Sequence, residues 1–389
     1  MVEEQRAAPE RPVRNWGIPL GRVAGVPVFL TASWLVLAVL IMITYQGYLA
    51  VRRPELPQSL AYLVGAGLVL SLLVSVLLHE LGHALTARRF GIGVRGITLE
   101  LLGGYTELDR DAPSPAVELL VSLAGPAVSL VLGAVAAAAA AVLPDRTLLE
   151  ELAFQLALSN LVVAAFNVLP GLPLDGGRAL RAGIWALSRD RHLGDRVAGW
   201  VGRLVAVASV VFVVLLVSAH VITVFGALLT VLVALTLWTG AGQAIRAGRL
   251  GPRVPLLNAG QLARPLFAVP SGTPLAEAQR RYAEAVTDDS GREPVLAVVN
   301  SSGQLIGLVD ETAAAQVPAE RRPWITLDAV ARSLDPGRIL PAELSGHALV
   351  EAVRANPGSE YVVTVGEDVL GVLRVADVVQ VLEARGPSR

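Results

Sequence analysis

The chain has 389 residues, of which 53% are hydrophobic and only 17% are charged, against roughly a quarter in an ordinary soluble domain. Its 32 basic and 33 acidic side chains leave a net charge of −1, so it lacks the basic excess typical of nucleic-acid-binding proteins, and we expect no nucleic-acid partner. The absence of cysteine excludes disulfides and thiolate chemistry, so any metal must be held by His, Asp or Glu.

Long uncharged stretches dominate the chain up to about residue 250. Residues 1–25 contain no apolar run ending in a cleavage site, which predicts a retained N-terminal tail. A helix needs roughly 20 apolar residues to cross about 30 Å of hydrocarbon, so we predict a six-helix transmembrane domain over residues 26–250 in a lipid bilayer. The predicted spans are 27–50, 59–87, 116–143, 148–169, 197–219 and 221–244.

The distribution of arginine predicts how these spans are oriented. Four arginines lie in the tail, four between spans two and three, and five between spans four and five, whereas the alternate connections hold only Arg52, Arg53 and Arg146. By the positive-inside rule we expect a protein of the cell membrane with both termini in the cytoplasm.

The second predicted span contains the pattern His79-Glu80-Leu81-Gly82-His83. Two histidines four residues apart project from one helix face at a separation that one Zn²⁺ bridges, and the adjacent glutamate can reach water bound to the metal. Ionisable groups are costly inside a bilayer, which favours a metal site. The alternative is a structural histidine pair in a helix bundle.

The segment between spans four and five offers a third zinc ligand. It reads NVLPGLPLDGGR from Asn167 to Arg178, with Asp175 before two glycines. A carboxylate in irregular backbone at membrane depth must be buried in protein or line a wet cavity, and zinc binding would satisfy it. The alternative role of Asp175 is an N-cap for the helix that begins near Gly176, and the two roles are compatible.

The combination of HELGH in the second span, NVLPGLPLDGGR about ninety residues later and soluble repeats at the end resembles the site-2 protease family of intramembrane zinc metalloproteases. The resemblance is greatest to the bacterial and archaeal branch in which six membrane helices precede a pair of cystathionine-β-synthase-type (CBS) domains. It implies that His79, His83 and Asp175 bind a single zinc ion and that Glu80 is the general base and acid. It also implies that Asn167 positions the substrate or stabilises the oxyanion.

The same resemblance implies a substrate class, namely a single transmembrane segment of a membrane-anchored regulator such as an anti-sigma factor.

From Leu60 on the outer side, nineteen helical residues put His79 about 28 Å inward, near the cytoplasmic leaflet. A helical substrate must unwind there, because its backbone groups are already bonded within the helix. Zinc would make hydroxide available at neutral pH, and Glu80 would move the protons.

Residues 94–108 follow the predicted catalytic helix and alternate apolar and polar side chains, with a turn at Gly103-Gly104. We predict a membrane-embedded β-hairpin whose open edge binds the extended substrate, which makes Gly103 and Gly104 candidate substrate-binding residues. The alternative is an interfacial hairpin with a structural role. In the third span, the family resemblance implies that Gly125-Pro126 distorts the helix near the site, and a simple kink is the alternative.

Two similar segments follow the last span, and we predict CBS-type repeats at residues 251–320 and 321–389. CBS pairs bind adenine nucleotides in other proteins, through an Asp that Asp377 would supply in the second repeat. The usual hydroxyl residue is replaced by Arg374, and Ala313 stands at the Asp position of the first repeat. A dimerising or gating module is therefore an open alternative, and a homodimer is expected because such pairs often associate.

The predicted fold class is a multi-pass α-helical membrane protein with a C-terminal cytoplasmic α/β tandem CBS-type domain, and the predicted function is zinc-dependent endopeptidase. A competing hypothesis is a catalytically silent membrane receptor or scaffold with structural zinc and a ligand-sensing CBS pair. The presence of Glu80 argues against it, since a structural site needs no general base. Zinc transport is disfavoured because the sequence offers a single metal-binding constellation.

Overall fold

The computed structural model describes residues 17–101, 103–219, 224–286, 293–333 and 335–384. Most of the predicted tail and the first residues of the predicted sixth span lie outside these ranges. The chain divides into two compact units, Met1–Gly248 and Arg249–Arg389.

The first unit consists of seven helices and one small sheet within the described residues. Its strands are β1 (Ile18–Val23), β2 (Val26–Leu30), β3 (Val94–Glu100) and β4 (Gly103–Leu108). Its helices are α1 (Ala32–Arg52), α2 (Gln58–Arg89), α3 (Pro115–Val142), α4 (Leu148–Val168), α5 (Asp175–Ser188), α6 (Arg191–Ser218) and α7 (Val224–Leu250).

Six of these helices are long and apolar enough to cross a membrane, namely all but the amphipathic α5. Their outer faces carry large apolar side chains with no protein neighbour to cover them: Leu63, Val131 and Leu204 are 67%, 61% and 66% exposed. Such faces belong against lipid, so the chain is a membrane protein, as predicted.

Polar residues fix where several of these helices begin. Ser114 caps α3 by accepting a hydrogen bond from the Val117 amide, with Pro115 at the first helical position. Thr147 caps α4, and the Asp190 carboxylate accepts from the amides of His192 and Leu193 at the start of α6. These caps satisfy amide groups that a helix end leaves without intrahelical partners.

The sheet corrects two predicted boundaries. Residues 27–30, assigned to the first span, form part of β2, and β1 lies within the predicted tail. The strand order is β1-β2-β3-β4, with β2 and β3 parallel and the other pairs antiparallel. The predicted hairpin is present as β3 and β4, but Gly103 and Gly104 lie in β4 rather than in the turn.

The sheet and α3 contact different parts of α2. Leu81 and Ala84 pack in one apolar cluster with Val28 of β2 and Ile97 of β3. His79 and His83 instead contact α3 through their rings. Packing on the sheet therefore fixes the rotation of α2, and with it the direction of its histidines.

The second unit contains two α/β halves, each with the order strand, helix, strand, strand, helix. The first half has β5 (Leu266–Pro270), α9 (Leu275–Val286), β6 (Val295–Val299), β7 (Leu305–Val309) and α10 (Glu311–Gln316), after a short helix α8 (Ala259–Leu262). The second half, after β8 (Ala331–Ser333), has β9 (Ile339–Pro341), α11 (Gly346–Ala355), β10 (Glu360–Val365), β11 (Asp368–Arg374) and α12 (Val375–Glu383). This architecture confirms the predicted fold class.

The segment that precedes each half in the chain packs against the other half. The predicted boundary between residues 320 and 321 therefore does not separate the two packed halves. β8 pairs with β7 of the first half, and Leu327 lies in the apolar cluster of that half. Conversely, Leu257 and Leu262 pack in the cluster of the second half, with Leu349 of α11. A further cluster, with Val295 and Val362 among its members, joins the two sheets.

Candidate metal centre and active site

Three side chains from two distant parts of the first unit meet at one point. His79 and His83 lie on α2, and Asp175 is the first residue of α5. The Asp175 Oδ2 atom lies 3.2 Å from the Nε2 atom of each histidine, and the two Nε2 atoms lie 3.3 Å apart. The three ligand atoms lie within 4.8 Å of one another, so they form a candidate metal site.

The other ring nitrogens of the histidines are held by α3. His83 Nδ1 donates to the Val121 carbonyl oxygen at 2.7 Å, and His79 Nδ1 lies 2.9 Å from the Ser129 hydroxyl. A proton on Nδ1 leaves the Nε2 lone pair directed at the cluster, as in zinc sites where a ligand histidine donates through its second nitrogen. The donor set of two imidazoles and a carboxylate therefore fits zinc and leaves a coordination position for water.

Gly125 allows α3 to pass directly beside the histidine rings. A Cβ atom at this position would lie 2.2 Å from His83 Nε2 and 2.6 Å from His79 Nε2. Any side chain would therefore occupy the space of the rings or of a metal between them. The Gly125-Pro126 step matters here through this close approach, which sequence reasoning did not identify.

Asp175 reaches the histidines because the segment between α4 and α5 folds back tightly. A Cβ atom on Gly176 would lie 2.1 Å from the Val168 carbonyl oxygen, and one on Gly177 would lie 2.1 Å from the Leu172 amide nitrogen. The two glycines thus let this segment pack on the first turn of α5. The N-cap of α5 is Leu174, and Asp175 makes no capping bond, so the alternative N-cap role is wrong.

Glu80 lies between the metal cluster and β4. Its side chain is buried, and the Thr106 hydroxyl donates to Glu80 Oε2 at 2.7 Å. A Cβ atom on Gly104 would lie 2.7 Å from Glu80 Cγ, so β4 approaches the glutamate through a residue without a side chain. The strand therefore orients one carboxylate oxygen and leaves the other available for chemistry.

A cavity of about 480 Å³ opens onto this cluster. Its wall includes Asn167 near the end of α4, and Gly103 and Gly104 of β4, so all the predicted residues of the first unit border one space. Val233 and Leu237 of α7 close another side. Only Asp377 of the predicted site residues lies in the other unit.

A buried ion network that sequence reasoning missed joins the middle of α5 to α3 and α6. Arg181 of α5 donates to the Glu118 carboxylate of α3, from Nε at 2.6 Å, and to Asp195 Oδ1 of α6 at 2.9 Å. The Glu118 side chain is 2% exposed. The charged residue Glu118 near the start of the apolar predicted third span is a usable signal, but the sequence does not identify its partner.

In the second unit, Asp377 is already engaged by a neighbouring cation. Arg264 donates to both carboxylate oxygens, at 2.7 and 2.8 Å. The bonded carboxylate raises the pKa of the Arg264 guanidinium above its usual value. A ribose that binds Asp377 would have to displace this arginine.

Comparison with known proteins agrees with the geometry. Residues 67–157 match the family model described as peptidase family M50. The chain is 28% identical over 378 residues to sll0528 of Synechocystis sp., provisionally named a zinc metalloprotease, across 95% of this chain and 96% of the relative. It is 41% identical over 200 residues to Rip3 of Mycobacterium tuberculosis, also provisionally named a zinc metalloprotease, and that match spans 50% of each protein.

Among solved structures, the site-2 protease from Methanocaldococcus jannaschii is similar at 27% identity and a TM-score of 0.43. The match covers 59% of this chain and 95% of that protein.

Proposed function

We propose that the chain is a zinc metalloprotease of peptidase family M50 and that it hydrolyses a peptide bond within a transmembrane segment of another membrane protein. The observation that carries this proposal is the cluster of His79, His83 and Asp175 beside Glu80, within a bundle of helices long enough to span a bilayer. A site inside such a bundle is positioned to act on substrate segments that lie in the membrane.

We propose that His79, His83 and Asp175 hold the zinc ion. When bound, zinc acidifies a water ligand and polarises a carbonyl group. The contacts of Ser129 and the Val121 carbonyl with the Nδ1 atoms keep both imidazoles oriented toward the ion.

Glu80 is the proposed proton carrier. Thr106 binds Oε2, so Oε1 takes the proton from the attacking water and delivers it to the nitrogen of the leaving amine. We assign to the Asn167 amide a hydrogen bond to the substrate carbonyl oxygen, which gains negative charge during attack. The support for that role is the position of Asn167 on the wall of the same cavity.

The substrate is proposed to bind as an added strand on β4. β4 is the last strand of its sheet, and within the described residues no strand pairs with its outer edge. Gly103 and Gly104 of this strand line the cavity. Main-chain hydrogen bonds to an edge strand would hold an unwound segment extended, with its carbonyl groups accessible.

The test compares host cells that carry the wild-type chain or Glu80→Gln, with new protein termini mapped by mass spectrometry. We expect a single-span membrane protein to accumulate uncut only in the variant, while both proteins retain zinc. Glu55→Gln is the matched control, because Glu55 lies between α1 and α2, outside the site, and its side chain is 63% exposed near Arg53. Equal fragment populations in all three strains would favour the silent receptor.

We further propose that the protein resides in the cytoplasmic membrane with both termini and the α/β unit in the cytoplasm, and that its substrate is a membrane-anchored regulator such as an anti-sigma factor. The alternating arginine content of the connections supports this orientation. Because the chain has no cysteine, single cysteines introduced in each connection can be labelled without background. Labelling from outside intact cells in the connection between spans two and three, or between spans four and five, would contradict the orientation.

For the α/β unit we propose a regulatory role, with adenine nucleotide as the candidate ligand and a homodimer as the candidate assembly. The support is the tandem repeat and the position of Asp377 on α12. Calorimetric titration of the full chain with AMP and ATP tests the ligand. Mass measurement in detergent tests the dimer, which a monomer at every concentration would exclude.

A further inference from the structure

A second, smaller cavity opens onto Glu80 beside the main one. The two cavities share His79, Glu80, Gly103 and Gly104 as lining residues. The smaller one extends toward earlier residues of α2 and α4, where Leu72 and Val163 form part of its wall. A substrate strand that lies along β4 and reaches Glu80 would therefore meet both cavities.

The size of the smaller cavity limits what can enter it. Its volume is about 90 Å³, against about 480 Å³ for the main cavity. A cavity of roughly 150 Å³ is known to accommodate a benzene ring. A space of about 90 Å³ is too small for an aromatic side chain and suits a short one.

Asn160, Ser75 and Ser129 in its wall already make hydrogen bonds within the protein. Asn160 is 3% exposed, and its Nδ2 donates to the Ser75 hydroxyl at 3.1 Å and to the Leu156 carbonyl oxygen at 2.9 Å. Ser129 contacts His79 Nδ1. These bonds tie α4 to α2 and α3 to α2, so the wall resists expansion, and apart from His79 and Glu80 of the reaction site the wall carries no ionisable side chain.

The geometry of an extended strand explains why the small cavity would receive the side chain of one substrate residue and not those of its neighbours. Successive side chains of an extended strand point to opposite faces, so on β4 only every second residue of the substrate faces α2 and α4. The residue beside the reacting bond can then place its side chain in the small cavity, while its neighbours point away.

We propose that this cavity, bounded by Leu72, Ser75, Val76, Ser159, Asn160 and Val163, is the subsite for the substrate side chain next to the cleaved bond. It admits Gly, Ala, Ser, Thr or Val and excludes Phe, Tyr and Trp. This inference rests on the proposed function and adds a substrate class to it: transmembrane segments with a small residue at the cut.

The test uses the purified full chain, loaded with zinc in detergent, and a mixture of synthetic single-span peptides in which each central position is varied among Ala, Val, Leu and Phe. Mass spectrometry identifies the cut bonds and their rates. We expect at least about tenfold faster cleavage beside Ala than beside Phe, since small differences in an apolar subsite change rates about 10- to 200-fold.

Val163→Ala enlarges the cavity and should reduce this preference about tenfold. Val162→Ala is the matched control, because Val162 is the adjacent residue of α4 and is 57% exposed on the outer face. It should retain the wild-type preference. Binding of the Ala and Phe peptides to Glu80→Gln, with and without Val163→Ala, gives the same comparison without turnover.

The outcomes separate the subsite from the proposed function. Cleavage without preference for small residues, or an unchanged preference in Val163→Ala, overturns the subsite and leaves the protease intact. Failure of the zinc-loaded wild-type chain to cut any peptide overturns the proposed function and the subsite with it.

Discussion

Gly125 is the residue on which the geometry of the metal site depends most directly. Replacing it with Ala would place a methyl group 2.2 Å from His83 Nε2. One ring must then turn away, which breaks its Nδ1 contact with α3. We therefore expect Gly125→Ala to lose zinc, measured as metal content of the purified protein.

The control for this substitution is Gly67→Ala on α2. A Cβ atom at Gly67 meets nothing within 4 Å, and Ala is the better helix former. This variant should keep its zinc. Full zinc content in Gly125→Ala would mean that the rings do not occupy the positions described.

Thr106 helps to position Glu80, because its hydroxyl contacts both the side chain and the backbone of Glu80. The distances are 2.7 Å to Oε2 and 3.2 Å to the carbonyl oxygen. A hydrogen bond to a charged group contributes about 1.5–3 kcal/mol. We expect Thr106→Val to lower kcat about tenfold or more, while zinc content stays constant.

Thr106→Ser is the matched variant, since it keeps the hydroxyl and removes only the methyl group. Its kcat should lie near the wild-type value. If Thr106→Ser loses kcat while Thr106→Val retains it, then packing of the methyl group, and not the hydrogen bond, positions Glu80.

Some residues in and around the metal cluster could be predicted from the sequence, and others could not. Two local patterns pointed to the metal cluster: the four-residue separation of His79 and His83, and the helix-breaking segment before Asp175. The structure brings these three side chains together. Ser129 and Thr106 carry no such pattern. They act through helices and strands that approach α2 only in the folded chain, at separations of 50 and 26 residues.

At the scale of elements, the hairpin of β3 and β4 was predicted, whereas β1 and β2 were not. The alternation around Ile97 marks a half-buried strand. Residues 27–30, however, continue directly into the apolar residues of α1, so composition alone extends the span through them. Only pairing of β2 with β3 shows that this short segment is extended.

The ion network of Arg181 predicts how α5 is held in place. Arg181 connects α5 to Glu118 on α3 and to Asp195 on α6, and α5 carries Asp175. Removing one partner of a buried ion pair costs about 3–5 kcal/mol, because the other charge stays buried. We expect Arg181→Met to lower the thermal unfolding temperature in detergent and to weaken zinc binding in competition with a chelator.

The double variant Glu118→Gln with Arg181→Met distinguishes charge from packing. It removes the buried carboxylate together with its partner, so it should be more stable than Arg181→Met alone. If the double variant is the less stable of the two, then Glu118 is stabilised by groups other than Arg181. Zinc affinity that is unchanged in both variants would show that the network does not position Asp175.

At the scale of the whole molecule, composition predicted the change from membrane helices to an α/β unit, since charged residues return after residue 250. The exchange of leading segments could not be predicted. The segments at Leu257 and Leu327 both precede a strand and a helix, and local sequence does not specify which half each one packs against. That choice depends on contacts between residues far apart in the chain.

The separation into two units leads to a final prediction, that the α/β unit is not needed to form the metal site. All three proposed ligand side chains, and the Val121, Gly125 and Ser129 positions around them, belong to the unit Met1–Gly248. That unit has apolar clusters built from its own residues alone. A chain that stops after Leu250, which preserves α7 entire, should therefore bind as much zinc per molecule as the full protein. Asp175→Asn in the same shortened chain is the control and should bind less, because it removes a charged ligand. Loss of zinc from the shortened chain itself would show that the α/β unit contributes to the stability of the site.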